Sequence, residues 1–312
     1  MQPTSRFVLT MLASCALAGL AHGGQIVRDT WIDGTRTDPA APVYSENGTD
    51  SDTDGDLESA WYLGGGGTLD PAGPGGPLQG ILGASGSSSW TTYFTPEGAP
   101  VVLGNAGDEL RVRWIFTPLT VGANNTSQNF RLCVVDTPSA ARLSVDGAPG
   151  SSTYTGYGMF MNMSNGVLGN SNPFRLVERT NPTSSTALLS SSGEWTGLAN
   201  GATAGNAGYT SNVEYTFEMS LIRNALGGLD ITASMSGGNL NNTGLASLAF
   251  TDSTPNGGSY SFDTFSIRPS DAATTAAQFN TRLFEVQFNP IPEPATLGAL
   301  AMTAVLFARR RQ

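Results

Sequence analysis

The densest concentration of potential chemistry in this chain is an acidic run, Asp50-Ser51-Asp52-Thr53-Asp54-Gly55-Asp56-Leu57-Glu58. Carboxylates at alternate positions, with a glycine that lets the backbone turn, allow one loop to wrap its oxygens around a single hard cation. Calcium takes about six to eight such ligands, so Asp50, Asp52, Asp54, Asp56 and Glu58 form a candidate calcium site. A solvated acidic turn ahead of a strand would have the same composition, and the run alone does not separate the two readings. An ion held here in an extracellular protein would be structural rather than regulatory.

Other reactive side chains are scarce. The only histidine is His22, and the fifteen basic residues are all arginine. His22 lies in a segment that reads as a removable leader, so the mature chain is expected to lack Ser-His-Asp and Cys-His machinery and His-ligated zinc. Without lysine, Schiff-base chemistry is excluded as well. Carboxylate chemistry remains, with tyrosine or arginine in support. Glycoside hydrolysis needs two carboxyls about 5–5.5 Å apart for retention or about 6.5–9.5 Å for inversion. Glu214 and Glu218 share a strand face, but four steps of about 3.3 Å set them ~13 Å apart, and the position between them is Thr216. Tyr154, Tyr157 and Arg175 could be drawn into a lyase-type site, yet nothing in their spacing demands one. The chain therefore reads as a protein that is not an enzyme.

Trp90, in Ser-Trp-Thr-Thr-Tyr, and Trp195, in Gly-Glu-Trp, sit beside turn sequence. A flat aromatic face can stack on a sugar ring while polar neighbours bond its hydroxyls, so both are candidate carbohydrate-binding residues. Burial in the core is the competing reading for each. Of the two cysteines, Cys15 lies in the leader and Cys133 in the apolar run Phe130–Val135. The mature domain thus has no internal disulfide, and Cys133 reads as a buried thiol.

These residues need positioning, and the elements available are strands. Val213, Tyr215, Phe217, Met219 and Leu221 alternate with Glu214, Thr216, Glu218 and Ser220, which predicts a half-buried strand. Leu229–Met235 pairs with it across the turn Asn224–Gly228. Further strands are expected at 110–116, 130–135, 157–161, 174–177, 246–250, 260–267 and 283–288. Away from the two ends, no stretch holds an apolar period of 3.6 long enough for a substantial helix. Short strands with Gly- and Asn-rich turns predict an all-β, antiparallel two-sheet sandwich over residues 24–290. Long loops are expected at 64–89 and 191–209, with 24–89 as a possible looser N-terminal segment. Trp31 and Trp61 are read as packing onto the sandwich rather than onto each other.

The net charge is −10. An acidic surface argues against nucleic acid, whose binding rests on neutralising phosphates, and against unassisted docking to anionic lipid.

Both ends carry targeting patterns. Arg6 precedes an apolar run from Phe7 to Leu20, and small residues follow at Ala21 and Gly23. This is the pattern of a secretory signal peptide over residues 1–23, with signal peptidase as a processing partner. Leu12-Ala13-Ser14-Cys15 also resembles the lipobox of bacterial lipoproteins, which would acylate Cys15. At the other end, Ile291-Pro292-Glu293-Pro294-Ala295-Thr296 leads into an apolar run to Ala308 and then Arg309-Arg310-Arg311. Arginines of this kind hold a helix end at the cytoplasmic face. As a transmembrane helix, 295–308 would span about 21 Å at ~1.5 Å per residue, short of a bilayer core of about 30 Å, which suits a temporary anchor.

The triplet Pro292-Glu293-Pro294, the apolar segment and the arginine cluster together resemble the PEP-CTERM sorting signal of Gram-negative, exopolysaccharide-producing bacteria. The resemblance implies processing by an exosortase, transient inner-membrane anchoring, and delivery to the cell surface or the extracellular matrix or biofilm. It covers only residues 291–312. The body, roughly Asp108 to Phe288, is similar in pattern to the concanavalin A-like or laminin-G-like jelly roll, in which a late Phe-Asp-x-Phe strand (here Phe262 to Phe265) closes one sheet. That likeness implies a fold and no particular activity. The acidic run resembles the Asp-x-Asp-x-Asp-Gly loops of EF-hand and thrombospondin-type calcium sites, but Trp61 stands where an EF-hand has its bidentate glutamate. Taken together, the sequence points to an exported surface or matrix protein with a structural or adhesive role in exopolysaccharide. A carbohydrate-binding module is the alternative, and a carboxylate-based glycosidase comes third.

Overall fold

In a computed structural model, the described residues are 24–291 apart from 124, 139–140, 151–152, 182–186 and 259. The segments expected to be a leader, a sorting motif and a transmembrane helix lie outside them. Among the described residues, no helix is long and apolar enough to cross a membrane.

The chain runs from β1 (Gly24–Asp29) through β2 (Trp61–Gly65), β3 (Thr68–Pro71), β4 (Leu78–Ile81), β5 (Ser88–Tyr93) and β6 (Val101–Val102). Longer strands follow, β7 (Glu109–Val121), β8 (Phe130–Asp136), β9 (Thr155–Met161) and β10 (Phe174–Arg179), then β11 (Trp195–Asn200). The last are β12 (Tyr215–Arg223), β13 (Leu229–Ser236), β14 (Leu245–Asp252), β15 (Ser261–Phe262), β16 (Thr264–Pro269) and β17 (Ala276–Asn289). They build an antiparallel eight-stranded sheet in the order β14-β13-β12-β7-β17-β4-β3, with β1 also on β17. The facing seven-stranded sheet runs β11-β10-β9-β8-β16-β5-β2, and β15 pairs with β6 apart from both.

The alternation that predicts β12 is realised in its burial, with Tyr215, Phe217, Met219 and Leu221 turned to the core and the polar positions between them outward. On the neighbouring β7, Leu110, Val112, Trp114 and Phe116 point the same way and meet Phe130, Leu132 and Val134 of β8 across the sandwich. β8 reads as a continuous apolar run because it is covered twice. Its second face, with Cys133 and Val135, packs under Tyr154, Leu188, Leu189 and Trp195. Cys133 is accordingly a fully buried free thiol.

Three details depart from the expected layout. The stretch 64–89 is not a loop, since it carries β3, β4 and the start of β5, and 191–209 contains β11. Their glycines disguised them, and one of these has a packing role: a Cβ at Gly80 would stand 2.3 Å from the Trp90 ring. The Phe-Asp-x-Phe segment breaks at Asp263 into β15 and β16, and β16 lies inside its sheet between β8 and β5 rather than closing it. Finally, Trp31 and Trp61 pack on each other at 6.4 Å as well as into the core, where Trp61 also meets Phe265 and Phe284 edge-on. Residues 24–89 thus supply strands to both sheets and two tryptophans to the interior.

Candidate metal centre

The loop that carries the acidic run is tied to β1 on both sides of the run's first carboxylates. Arg28 and Leu57 exchange backbone hydrogen bonds at 2.8 and 3.2 Å, Gly48 N donates to Ile26 O, and Glu46 N donates to Glu58 O. Between these ties the chain curls on itself, helped by Gly55 at φ 108°, a conformation that disfavours other residues.

Within the curl the carboxylates divide by task. Glu46 Oε1 accepts from Ser51 N and Oγ at 2.5 and 2.6 Å, and its Oε2 accepts from Glu58 N at 3.1 Å. Asp50 accepts from Thr53 N at 2.6 Å and Gly55 N at 3.2 Å. Glu46 and Asp50 therefore brace the loop. Asp56 Oδ2 accepts from both Thr30 N and Thr30 Oγ1 at 2.7 Å, which pins the loop to the residue following β1.

Asp52 Oδ1 and Asp54 Oδ1 accept from Asp54 N and Asp56 N at 3.2 Å, and Asp33 Oδ1 accepts from Thr35 N at 2.8 Å, which leaves other oxygens unspent. Asp56 Oδ1 and Asp54 Oδ2 are buried with no hydrogen-bond partner, although Asp56 as a whole is only 3% exposed. Glu58 is likewise 3% exposed. Its carboxylate has an oxygen in two acidic triads, one with Asp52 and Asp54 and one with Asp33 and Asp38, with the ligand atoms in each within 4.8 Å of one another. A calcium ion about 2.3–2.6 Å from each ligand needs oxygens at such mutual separations. A third triad, Glu46, Asp50 and Asp52, is as close but is built largely from the bracing groups.

Electrostatics follow from this crowding. Burial, then Asp33, Asp29, Asp54 and Asp56, push the Glu58 carboxyl up to about 10. Burial also raises Asp54 to about 6, with the adjoining Asp56 carboxyl adding to the effect. Asp29, fully buried beside Asp56, is raised well above the ordinary carboxylate range, chiefly by burial. Among the described ion pairs, none brings an arginine to Asp33, Asp38, Asp52, Asp54, Asp56 or Glu58. Such a cluster must hold protons or a cation, and its all-oxygen donor set suits calcium.

The structure thus modifies the ligand set read from sequence. It groups Asp52, Asp54 and Glu58, groups Asp50 with Asp52 and Glu46, and brings Asp33 and Asp38 from the loop after β1 to Glu58. No local pattern announces those two, which reach the site only because β1 and Leu57 are paired. Trp61, at the position of an EF-hand's last ligand, is instead in the core.

The two carbohydrate-binding candidates are corrected by burial. Trp90 is 2% exposed, under Gly80 and edge-on to Phe279. Trp195 is 7% exposed, against Phe160 and beneath the Arg179 guanidinium. Neither ring offers a face to a sugar, because each fills a gap that the sheets would otherwise leave empty.

The groups considered for catalysis do not assemble either. Glu214 is held by Arg282 at 2.8 and 3.1 Å, which lowers its pKa, the opposite of what a general acid needs. Glu218 is paired with Arg111 and Arg113. Tyr157 donates to Asp252 at 2.8 Å inside the sandwich, while the Arg175 guanidinium lies across Gly197.

No protein-family profile matches the chain, and no curated protein does. Solved structures similar to it include the metal-free carbohydrate recognition domain of Emp46p, at 12% identity and TM-score 0.41 over 72% of this chain and 87% of that one. Lectin II from Ulex europaeus is 9% identical at TM-score 0.41 over 73% and 92%. The exoplasmic/lumenal domain of VIP36, in its Ca2+/Man3GlcNAc-bound form, is 12% identical at TM-score 0.42 over 75% and 85%. At this distance the architecture rests on this chain's own strand pairings, which make it an all-β antiparallel two-sheet sandwich.

Proposed function

We propose that this chain is an exported, non-catalytic surface or matrix protein whose sandwich is locked at its β1 end by a calcium ion. The observation that carries the reading is the Glu58 carboxylate, buried among Asp33, Asp38, Asp52 and Asp54 with no arginine in attendance, beside the partnerless Asp54 Oδ2 and Asp56 Oδ1. Asp33, Asp38, Asp52, Asp54, Asp56 and Glu58 would hold the ion, and its charge would replace the protons the cluster otherwise needs. Cross-linking the loop after β1 to the 46–58 loop fits an extracellular domain without disulfides, where calcium is plentiful and cysteine pairing is not used.

Export and display rest on the two ends. The leader would be removed by signal peptidase, and Pro292-Glu293-Pro294 with Arg309–Arg311 would direct exosortase processing and delivery to exopolysaccharide. A structural or adhesive role is supported by the missing histidine and lysine chemistry and by carboxylates that are spent on ion pairs, braces or the metal cluster.

The test is calcium calorimetry on the full chain, with thermal melting in calcium and in chelator. A site in the micromolar-to-millimolar range, with a higher melting temperature in calcium, is expected. No heat and identical melting curves would remove the ion from the proposal.

A further inference from the structure

The outer face of the eight-stranded sheet belongs to none of the features above, and its side chains line up across strands. One row runs Ser247, Ser234, Glu218, Arg113, Glu285, Arg28 across β14, β13, β12, β7, β17 and β1. The next row on the same face runs Ala249, Thr232, Ser220, Arg111, Gln287, Gln25 over the same strands. Small hydroxyl and methyl side chains fill the β13–β14 half, while long charged and amide side chains fill the other, so the face has a low side and a rim. Two depressions of about 630 and 160 Å³ result, joined through Arg111 and Glu218. A third, of about 490 Å³ between Glu214–Arg282, Asn280 and Thr117, lies further along the same face. On β7 the outward positions from Glu109 to Thr117 span eight steps, about 26 Å at ~3.3 Å each.

Arg28, Arg111, Arg113 and Arg282 on this face stand against Glu109, Glu214, Glu218 and Glu285, and Asp230 in the Glu109 row and Asp70 in the Asn280 row give the acids the excess. They are also tied down. Arg111 donates to Glu218 at 3.1 Å, Gln25 and Gln287 donate to Glu285 Oε1 at 2.5 and 3.0 Å, and Ser220 donates to Glu109 at 2.6 Å. Arg113 sits 3.5 Å from Glu218 and 3.8 Å from Glu285, with its Nε making no hydrogen bond. The face thus offers preorganised donors and acceptors, side by side, with no basic excess.

We infer that this face is a binding trough for a neutral polysaccharide strand lying along β7. Sugar hydroxyls both donate and accept, so alternating guanidinium, carboxylate, amide and hydroxyl groups can each find a partner, while a face whose acids outnumber its arginines gives a polyanion no net attraction. Nucleic acid lacks the basic surface it would require. An apolar protein partner lacks a contiguous apolar patch in these rows. The inference is independent of the calcium site, which lies at the edge of the sandwich beyond β1.

Affinity electrophoresis tests it, using the full chain in calcium-containing native gels with hydroxyethyl cellulose, dextran, mannan or alginate. Two variants go alongside: Arg113→Ala with Glu218→Ala, which removes the central donors and acceptors, and Ser234→Tyr, which fills the low side without removing a member of an ion pair. Retardation by at least one neutral polymer is expected, weakened at least about ten-fold in both variants, whose melting temperatures stay near the parent's. Retardation by alginate alone overturns the inference. So does no retardation by any neutral polymer, or retardation that survives in a folded variant. Because calcium is present throughout, a failed calcium site would show in the melting curves and not as lost retardation alone.

Discussion

Asp33 and Glu58 belong to different loops, yet their carboxylate oxygens lie within 4.8 Å of each other, with Asp38 completing the triad. Two acids are held together here by a fold that supplies no arginine, so the fold itself creates the demand for a counter-charge. The first prediction concerns that demand. Glu58→Gln removes the central carboxylate of the proposed site, a group that burial raises to about 10. In chelator the variant should melt at or above the parent, since an uncompensated buried carboxyl has been replaced by a neutral isostere. In calcium it should fail to gain, whereas the parent gains. A variant that still rises with calcium as the parent does would place the ion elsewhere.

The pH dependence of the ion-free protein follows with a definite sign. Glu58 is raised to about 10 and Asp54 to about 6, so over this window the folded chain keeps protons that the unfolded chain has released. Stability must then fall as pH rises from the ordinary carboxylate range toward 10. Calcium should displace those protons and flatten the fall. Denaturant midpoints at pH 5, 7 and 9 in chelator should decline in that order and converge in calcium. Calorimetry in two buffers of different ionisation enthalpy should detect protons released on binding.

The sheets were largely legible because their signals are local. The alternation in 213–221 and the apolar run in 130–135 specify faces directly, and the Asn224–Gly228 turn sets their neighbour's register. What escaped was set by distance. Asp33 and Asp38 look like ordinary loop acids until β1 pairs with Leu57 and the two meet Glu58. Trp90 and Trp195 look like platforms because turn residues flank them, whereas their burial depends on Phe279 and Phe160 arriving from other strands. The outer-face rows could not be read either, because β7, β12 and β17 become neighbours only through long connections.

Gly80 and Trp90 test the corrected role of the indole. Gly80→Ala would drive a methyl to within 2.3 Å of a ring that Phe279 holds from the side, and Trp90→Ala would leave a cavity in the core. The second should cost about 3–5 kcal/mol, lowering the melting temperature by roughly 10 °C. Both should leave retardation by neutral polysaccharide intact at temperatures where the variants are folded. Loss of retardation in a folded Trp90→Ala protein would restore the ring as a sugar contact.

Processing at the C-terminal end gives a prediction that needs no structure. If Pro292-Glu293-Pro294 directs an exosortase, the surface form of the protein should end near the triplet and lack Arg309–Arg311. Mass spectrometry of protein recovered from the producing cells reads this directly. Pro292→Ala with Pro294→Ala should leave the tail attached and the chain in the inner membrane, whereas a mature form retaining its arginines would make the segment a permanent anchor.

Glu178 and Asp252 are the last pair to settle, since two carboxyls close together invite a catalytic reading. Asp252 accepts from Tyr157 at 2.8 Å, Glu178 accepts from Asn256 N at 2.5 Å, and both carboxyls are buried. Burial raises the Glu178 pKa, with Asp252 adding to it through its charge and a direct hydrogen bond. Each carboxyl is thus already engaged by a group of the fold. A carboxyl raised by burial costs stability once its proton leaves. Glu178→Gln should match the parent below about pH 4, where ordinary carboxyls are protonated in both states, and become more stable than it as pH rises above the ordinary carboxylate range. Urea midpoints measured in saturating calcium, so that the metal cluster contributes no slope, should show the two curves separating; parallel curves would mean that Glu178 stays ionised in the fold.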